Sequence, residues 1–354
     1  MQSIDSSLKT KWIDLLSHDG DARLHPDWIL GNSQVPIIYA DHDATNLLSL
    51  AVLQPERLRP FRVGPQLHGY HLAYNRMIGD TGPEACAKFG STLLDYVNAD
   101  AIDYVRMDDM EYGGPLWNAL KTSGAAFYAS NPLQRWWTDL AASKQYFAKI
   151  KKSFGQKARK LHRLGSEFRS YTDVSDLTTA ISTIYPNTWQ CRRRGIAGSS
   201  YLSEPELWRF VADLGAMRTY VLWLSGKPLA YIVGTQYGGR LSLIDIGYDS
   251  TQPELGPGIV LTYFMLEELI ANNTPNLIDW GYGDYDYKRV FSTRCTSSTQ
   301  VMLIAGRGYP RLCMGLYYTG HTTKHQVSLL VKRLGIFNRV KTLYHRIPKL
   351  GKHA

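Results

Sequence analysis

Polar and aromatic groups crowd one stretch of this sequence in a way that chemistry can use. Gly256-Pro257-Gly258 stands just before an apolar helical run. A glycine-rich turn at a helix start leaves backbone N–H groups unpaired, where the helix dipole adds partial positive charge. Such a turn suits a pyrophosphate; the plainer reading is a tight strand-to-helix turn. Downstream, Ile278-Asp279-Trp280-Gly281 ends a strand-like run, and Tyr282, Gly283, Asp284, Tyr287 and Lys288 follow at once. A strand-end carboxylate such as Asp279 could act as general base if burial raises its pKa, or it could cap the loop through backbone amides. Lys288 could hold an acceptor phosphate or carboxylate or stabilise an oxyanion; as a solvated lysine beside Arg289 it would do neither.

Two further clusters are candidates for substrate binding. Trp189 precedes Arg192-Arg193-Arg194. Cations suit a helix C-terminus, but three beside an aromatic could grip an anionic acceptor, with Arg193 in the middle. Tyr248 and Asp249 could line an acceptor pocket or form a solvent-facing turn. His68 and His71 have no third ligand of suitable type nearby, so no metal site is expected.

The elements that must position these groups read as follows. Residues 1 to about 140 alternate short apolar strands with turns, as at 35–40, 47–53 and 102–107, with a helix over 82–98. Gln145 to Leu164 is charged and helical, with Phe147, Ile150, Phe154, Ala158 and Leu161 on one face. A strand over 168–171, a helix opening near Ser175 and another over 205–214 come next. The period then changes to strands at 219–224, 229–237 and 240–246, joined by Ser-Gly-Lys-Pro and Gly238-Gly239: a three-stranded antiparallel meander. A helix over 259–272, a strand over 276–280, a loop from Gly281 to Lys288 and a strand over 299–305 close the unit.

The chain has 354 residues, 44% hydrophobic and 20% charged, enough for two cores of roughly 150 residues each and too apolar for disorder. Neither a membrane-spanning run nor a secretory signal is visible. Four dispersed cysteines (Cys86, Cys191, Cys295, Cys313) form no CxxC pair, so a reduced cytoplasmic setting is expected. The net charge of +9 is localised: residues 306–354 hold ten Lys/Arg and no Asp/Glu, and the remainder holds thirty basic against thirty-one acidic groups. A surface built for DNA is therefore not expected. From Val327 the tail reads as a basic amphipathic helix, which would lie on an anionic membrane surface or dock its apolar stripe on the protein.

Residues 145–305 resemble GNAT-type acyltransferases of the CelD/BcsL and FemAB-like groups. The carrying segments are Leu222-Trp-Leu-Ser-Gly-Lys-Pro-Leu-Ala230, Gly247-Tyr248-Asp249, Leu255-Gly-Pro-Gly258 and Asp279-Trp-Gly281-Tyr-Gly283 running into Tyr287-Lys288. The resemblance implies an α/β (α+β) fold of two GNAT-like lobes, each a mixed, mostly antiparallel sheet flanked by helices. The divergent lobe would span 1–142, the active lobe 143–306 and the basic tail 307–354. It also implies acyl transfer from acyl-CoA, acetyl-CoA above all, to an amine or hydroxyl of a cell-envelope or polysaccharide precursor. The thioester would lie in the splay between strands 240–246 and 276–280, with backbone at Ile244 and Ile246 beside it and its phosphates at Gly256, Pro257 and Gly258. Asp279 and Lys288 would be catalytic, and Trp189, Arg193, Tyr248, Asp249, Tyr282, Asp284 and Tyr287 would bind the acceptor. Attack would be direct, with no cysteine nucleophile and no metal. The pyrophosphate loop of the family is typically longer, so fewer amides would hold the phosphates here. FemAB-like relatives take aminoacyl-tRNA instead, which makes tRNA a donor under a second reading, and loss of catalysis would leave a binding module.

Overall fold

The computed structural model describes residues 6–32, 36–43, 47–59, 66–99, 102–123, 127–174, 177–194, 199–305, 308–317 and 319. The amphipathic run from Val327 and the helix start at Ser175 lie outside the described residues. In the first half, α1 (Ser6–Asp19) and α2 (Pro26–Asn32) precede β1 (Ile37–His42), β2 (Leu47–Leu58) and β3 (Leu67–Gly79). Then come α3 (Pro83–Asn98), β4 (Tyr104–Glu111), α4 (Pro115–Thr122), β5 (Phe127–Ala129) and β6 (Leu133–Asp139). The second half opens with α5 (Leu140–Arg163), β7 (Ser166–Tyr171), α6 (Leu177–Ile184), α7 (Trp189–Arg194), α8 (Ser200–Ser203) and α9 (Pro205–Asp213). The meander β8 (Met217–Leu224), β9 (Lys227–Tyr237) and β10 (Arg240–Tyr248) follows, then α10 (Pro257–Asn272), β11 (Leu277–Tyr282), α11 (Asp286–Phe291) and β12 (Arg294–Ile304). A last helix, α12, covers 308–317. No helix among the described residues is long and apolar enough to cross a membrane.

Local chemistry accounts for several boundaries. Asp139 ends β6 and caps α5, its carboxylate accepting from the amides of Ala141 and Ala142 at 3.0 and 3.2 Å. The apolar stripe of α5 faces α10, with Phe147 stacked on Tyr263 at 5.4 Å, while its lysines face solvent. The expected loop over 281–288 is shorter than its composition suggests: β11 runs through Tyr282, and Tyr287 and Lys288 sit on α11.

The strands form one 12-stranded mixed sheet in the order β1-β2-β3-β4-β12-β6-β11-β10-β9-β8-β7, with β5 beside β12. The two halves repeat one arrangement. In the first, β3 pairs parallel with β4 around α3, which opens on Gly82-Pro83; in the second, β10 pairs parallel with β11 around α10, which opens on Gly256-Pro257. Each half then gives its last strand to the other. β6 leaves the first half to pair antiparallel with β11, and β12 leaves the second to pair antiparallel with β4. The exchanged strands also pair with each other. Packing follows the exchange: Val301 and Leu303 of β12 enter the first-half core with Phe89 and Leu93, and Trp136 of β6 packs on the second-half core around Trp280 and Phe291. A second layer, α6 to α9, covers the opposite face of β8 and β9 with Ile181, Trp208 and Val211.

One buried hydroxyl ties the exchange together. Thr138 on β6 donates to the carbonyl of Phe291 at 2.6 Å and accepts from the Trp280 indole at 2.8 Å. Thr138→Val keeps the shape and leaves two buried groups unpaired, so it should lower stability by about 1–3 kcal/mol. Urea unfolding reads this directly; an unchanged midpoint would show that the exchanged strand does not depend on these bonds.

Candidate active site

β10 and β11 are in register over three pairs, Arg240 with Leu277, Leu241 with Ile278 and Ser242 with Asp279, and beyond Ser242 the pairing stops. A bulge at the same point shifts β10 against β9 between Leu243 and Asp245. A bulge bends its strand and breaks the alternation of side chains. Ile244 accordingly packs toward the α6–α9 layer and Ile246 toward the opposite core. The two residues expected beside a thioester thus flank a strand that parts from its neighbour. Gln190 on α7 donates to the Ile246 carbonyl at 2.9 Å and holds α7 against this stretch.

At the open end, Gly256 adopts a left-handed conformation (φ 57°) that favours glycine. Pro257 has no N–H, and Val260 bonds back to the Gly256 carbonyl at 3.0 Å. The helix start therefore offers the amides of Gly258 and Ile259. Gly258 is needed for space as well: a Cβ there would stand 3.0 Å from the Tyr248 ring. Tyr248, expected in the acceptor pocket, packs on this turn. Asp249 organises its own turn, accepting from the Thr251 amide and hydroxyl at 2.9 and 2.6 Å. That is the plain reading of this carboxylate, which has its partners within the turn.

The centre of the molecule is an ionic cluster on the faces of β10, β11, β6 and β12. Asp279 is buried and its oxygens are fully engaged. Oδ1 accepts from Arg135 Nε at 3.1 Å and the Gly281 amide at 2.9 Å, while Oδ2 accepts from Arg135 Nη2 at 2.5 Å and from Arg240 Nη2. Burial alone would raise its pKa, but the two guanidiniums and the Gly281 amide outweigh burial and hold it far below the usual carboxylate range. The general-base expectation for Asp279 is corrected by this geometry: a carboxylate with no free lone pair and so low a pKa is a fixed counter-charge. Arg135 also reaches Asp109 on β4. Arg135, Arg240 and Arg294 all lie against the Trp137 ring, at 4.6, 4.7 and 5.5 Å from its centroid.

Lys288 stands on α11, beside this cluster. Its side chain is buried, and Nζ donates to the Tyr282 carbonyl at 2.9 Å, at the end of β11. Burial lowers its pKa to about 8, with Asp279 opposing and Arg135 adding to the shift. Tyr287 packs between Trp280 and Tyr285, and burial pushes its phenol up. Tyr282 is exposed and lines a cavity of about 310 Å³. Asp284, by contrast, turns to the surface and pairs with Arg289, Nε to Oδ1 at 2.7 Å, which removes it from the site. Trp189 is partly exposed at the start of α7; the Arg193 side chain lies outside the described residues.

Arg135, Arg240, Asp109, Trp137 and Arg294 were not among the sequence candidates. Arg135, Trp137 and Arg294 come from the exchanged strands, and only the exchange brings them to Asp279. A cavity of about 430 Å³ opens on this cluster and runs into the first half between β3, α3, β4 and α4. Its one cysteine, Cys86, is pushed up to about 11 by burial, which keeps it a thiol at neutral pH.

Residues 148–289 match the family model described as the acetyltransferase (GNAT) domain. No curated protein matches the chain. Among solved structures, FemX superimposes with a TM-score of 0.63 at 11% identity, over 84% of this chain and 96% of that one. The C-terminal domain of a putative lysylphosphatidylglycerol synthetase from Agrobacterium fabrum follows at 0.56 and 12%, over 87% and 94%. L-PGS from Bacillus licheniformis gives 0.53 and 11%, over 90% and 97%. At these identities the likeness is one of fold, and it extends over both halves. The chain has a GNAT-type fold, and the stretch that matches the acetyltransferase (GNAT) domain model lies within its second half.

Because the Asp279 pKa is lower folded than unfolded, its contribution to stability is complete above the unfolded value of about 3.9 and is lost as pH falls below it. Arg135→Met should reduce that acid dependence and lower stability at pH 7 by about 3–5 kcal/mol, since it strands a buried carboxylate. Denaturant melts from pH 3 to 8 test both; a variant with wild-type stability and the same acid slope would contradict the bridge.

Proposed function

We propose that residues 143–306 form an acyltransferase lobe that moves an acyl group, acetyl above all, from acyl-CoA to an amine or hydroxyl by direct attack. The observation that carries this reading is the parting of β10 from β11 beyond Ser242, with a buried lysine at the end of β11. In the proposed mechanism the thioester carbonyl enters this gap beside the Ile244 and Ile246 backbone. The amides of Gly258 and Ile259 and the helix dipole of α10 receive a phosphate oxygen. The acceptor amine or hydroxyl attacks the carbonyl carbon and the Lys288 ammonium stabilises the oxyanion that develops; its collapse breaks the C–S bond, and the departing CoA thiolate takes up the proton released by the acceptor. Asp279 takes no proton; it keeps Arg135 and Arg240 in place and adds negative charge near Lys288. A protonated Cys86 in the neighbouring cavity supports transfer without a cysteine intermediate.

The order of the motifs supports the CelD/BcsL and FemAB-like groups, and with them an acceptor on a cell-envelope or polysaccharide precursor at the cytoplasmic face of the membrane. Leu312 and Leu316 of α12 are 62% and 57% exposed, and the ten cations of residues 306–354 follow or flank them, which supports peripheral contact with anionic lipid.

A second reading, transfer from aminoacyl-tRNA, has its own observation. The solvent face of α5 presents Lys149, Lys151, Lys152, Lys157, Arg159, Lys160 and Arg163, a track suited to a polyanion. FemX and L-PGS, whose fold this chain resembles, direct attention to this alternative. Transfer from charged tRNA that weakens steeply with salt, with no binding of any acyl-CoA by calorimetry, would select it.

With a Lys288 pKa of about 8, the ammonium is present below that pH and lost above it, so kcat should fall on the alkaline side. Lys288→Arg should move this limb to higher pH. Lys288→Met should lower kcat by about 10²–10³-fold with little change in acyl-CoA affinity. A rate that climbs through the same pH range, or is indifferent to Lys288→Met, would remove the lysine from the mechanism.

A further inference from the structure

Two residues that line the 430 Å³ cavity of the first half each carry a buried polar atom, of opposite character, that has no hydrogen-bond partner among the described residues. One is on Asp109. This residue holds a left-handed backbone (φ 61°), unfavourable for a side chain with a Cβ, and its side chain is 6% exposed. Oδ2 pairs with Arg135, while Oδ1 is buried without a partner among the described residues. The other is Nε of Arg240, a residue 5% exposed whose Nη2 is committed to Asp279. Beside it Arg294 lies on the same Trp137 ring, and among the described residues it has no carboxylate partner. Leaving such groups unpaired in a buried wall costs roughly 1–3 kcal/mol each, more for charged ones. Their persistence at a cavity wall is explained if a ligand completes them.

Arg135 links the two residues: one of its nitrogens touches Asp109 and another reaches Asp279, the partner of Arg240. The rest of the wall is apolar, with Leu72, Met77, Met107, Leu116 and Trp117. A volume of this size falls within the roughly 300–1,000 Å³ of small-molecule sites.

We propose that this cavity binds the acceptor, and that the acceptor is an amine-bearing acid with an apolar body: an α-amino acid or a precursor end of the same chemistry. The amino group donates to Asp109 Oδ1, the carboxylate or phosphate accepts from Arg240 Nε and Arg294, and the body lies along Met107 and Trp117. A neutral sugar hydroxyl would leave the guanidiniums unmatched, and a simple carboxylic acid would leave Asp109 unmatched. The second cavity, lined by both Asp109 and Tyr282, leads from the amine end toward the carbonyl that holds Lys288. This assignment rests on the acyl-transfer reading for the word acceptor, and the binding itself does not.

The test is calorimetric titration of the full chain, without acyl-CoA, with L-leucine, O-phosphoethanolamine, 4-methylpentanoate and isoamylamine. At least one of the two zwitterions should bind, and at least tenfold more tightly than either compound that lacks one charged end; leucine against phosphoethanolamine separates carboxylate from phosphate. Arg294→Gln, at an exposed position where folding is not at risk, should weaken zwitterion binding about tenfold and leave isoamylamine unaffected. Asp109→Asn should weaken the amine-bearing ligands and spare 4-methylpentanoate. Equal binding of zwitterions and single-charge compounds, or no binding by any of the four, would overturn the proposal. Acetyl-CoA titrated separately keeps the two claims apart: zwitterion binding without acyl-CoA binding would sink the transfer reading and leave this cavity standing.

Discussion

The Arg135 guanidinium is the contact on which the centre of this molecule depends. It stands on a strand given by the first half to the second, and it bonds Asp109 on β4 and Asp279 on β11 at once. Those two carboxylates occupy matching strands of the two halves, each beside a gap where a parallel pair has stopped. Two buried carboxylates this near each other would repel and be strongly desolvated. One shared cation makes the arrangement tenable, and a second, Arg240, completes it on the Asp279 side. Three arginines lie on one indole, so charge holds the closed end of the gap between β10 and β11 alongside the buried Leu241 and Ile278.

The reciprocal exchange of strands explains why the site is central. If each half kept its own last strand, Arg135 and Trp137 would lie in the first half and Arg294 in the second, with no common surface. The exchange instead sets β12 and β6 side by side in the middle of the sheet and turns Arg294, Thr296, Trp137 and Arg135 toward one face. The first-half cavity then has Arg240 of β10 in its wall beside Arg135, Trp137 and Arg294 of the exchanged strands. Lys288 owes its lowered pKa to burial against the end of β11, with Arg135 adding to the shift and Asp279 opposing it.

Much of the second half was legible in the residues. The meander announces itself by alternation and by Gly238-Gly239, and the helix α10 by Gly-Pro ahead of an apolar run. What was not legible depends on long-range pairing. Leu-Gln-Arg-Trp-Trp-Thr-Asp of β6 has no alternation of apolar and polar residues, because one of its faces carries the ionic centre, and nothing near Arg135 in sequence hints at partners as distant as Asp109 and Asp279. β12 begins earlier than its apolar residues suggest for the same reason: Arg294 and Thr296 point into the polar centre. The chemistry of Asp279 was inverted by neighbours the sequence does not place. The general-base reading needed burial to raise its pKa, and two arginines lower it; the other reading, a cap on the following loop, has its bond from the Gly281 amide. Asp249 and Asp284 were read as acceptor contacts from their position beside aromatic residues, and each is satisfied locally, by Thr251 and Arg289.

The account stands on an acyl group fitting between two strands that part company after Ser242. A crystal structure of the full chain soaked with a non-transferable thioether analogue of acetyl-CoA examines that most directly. The carbonyl should lie between β10 and β11 past Ser242, with its oxygen turned toward the β10 backbone and Lys288 and a phosphate against Gly258. An analogue found elsewhere on the surface, or the same two strands closed around bulky side chains with no ligand between them, would contradict it.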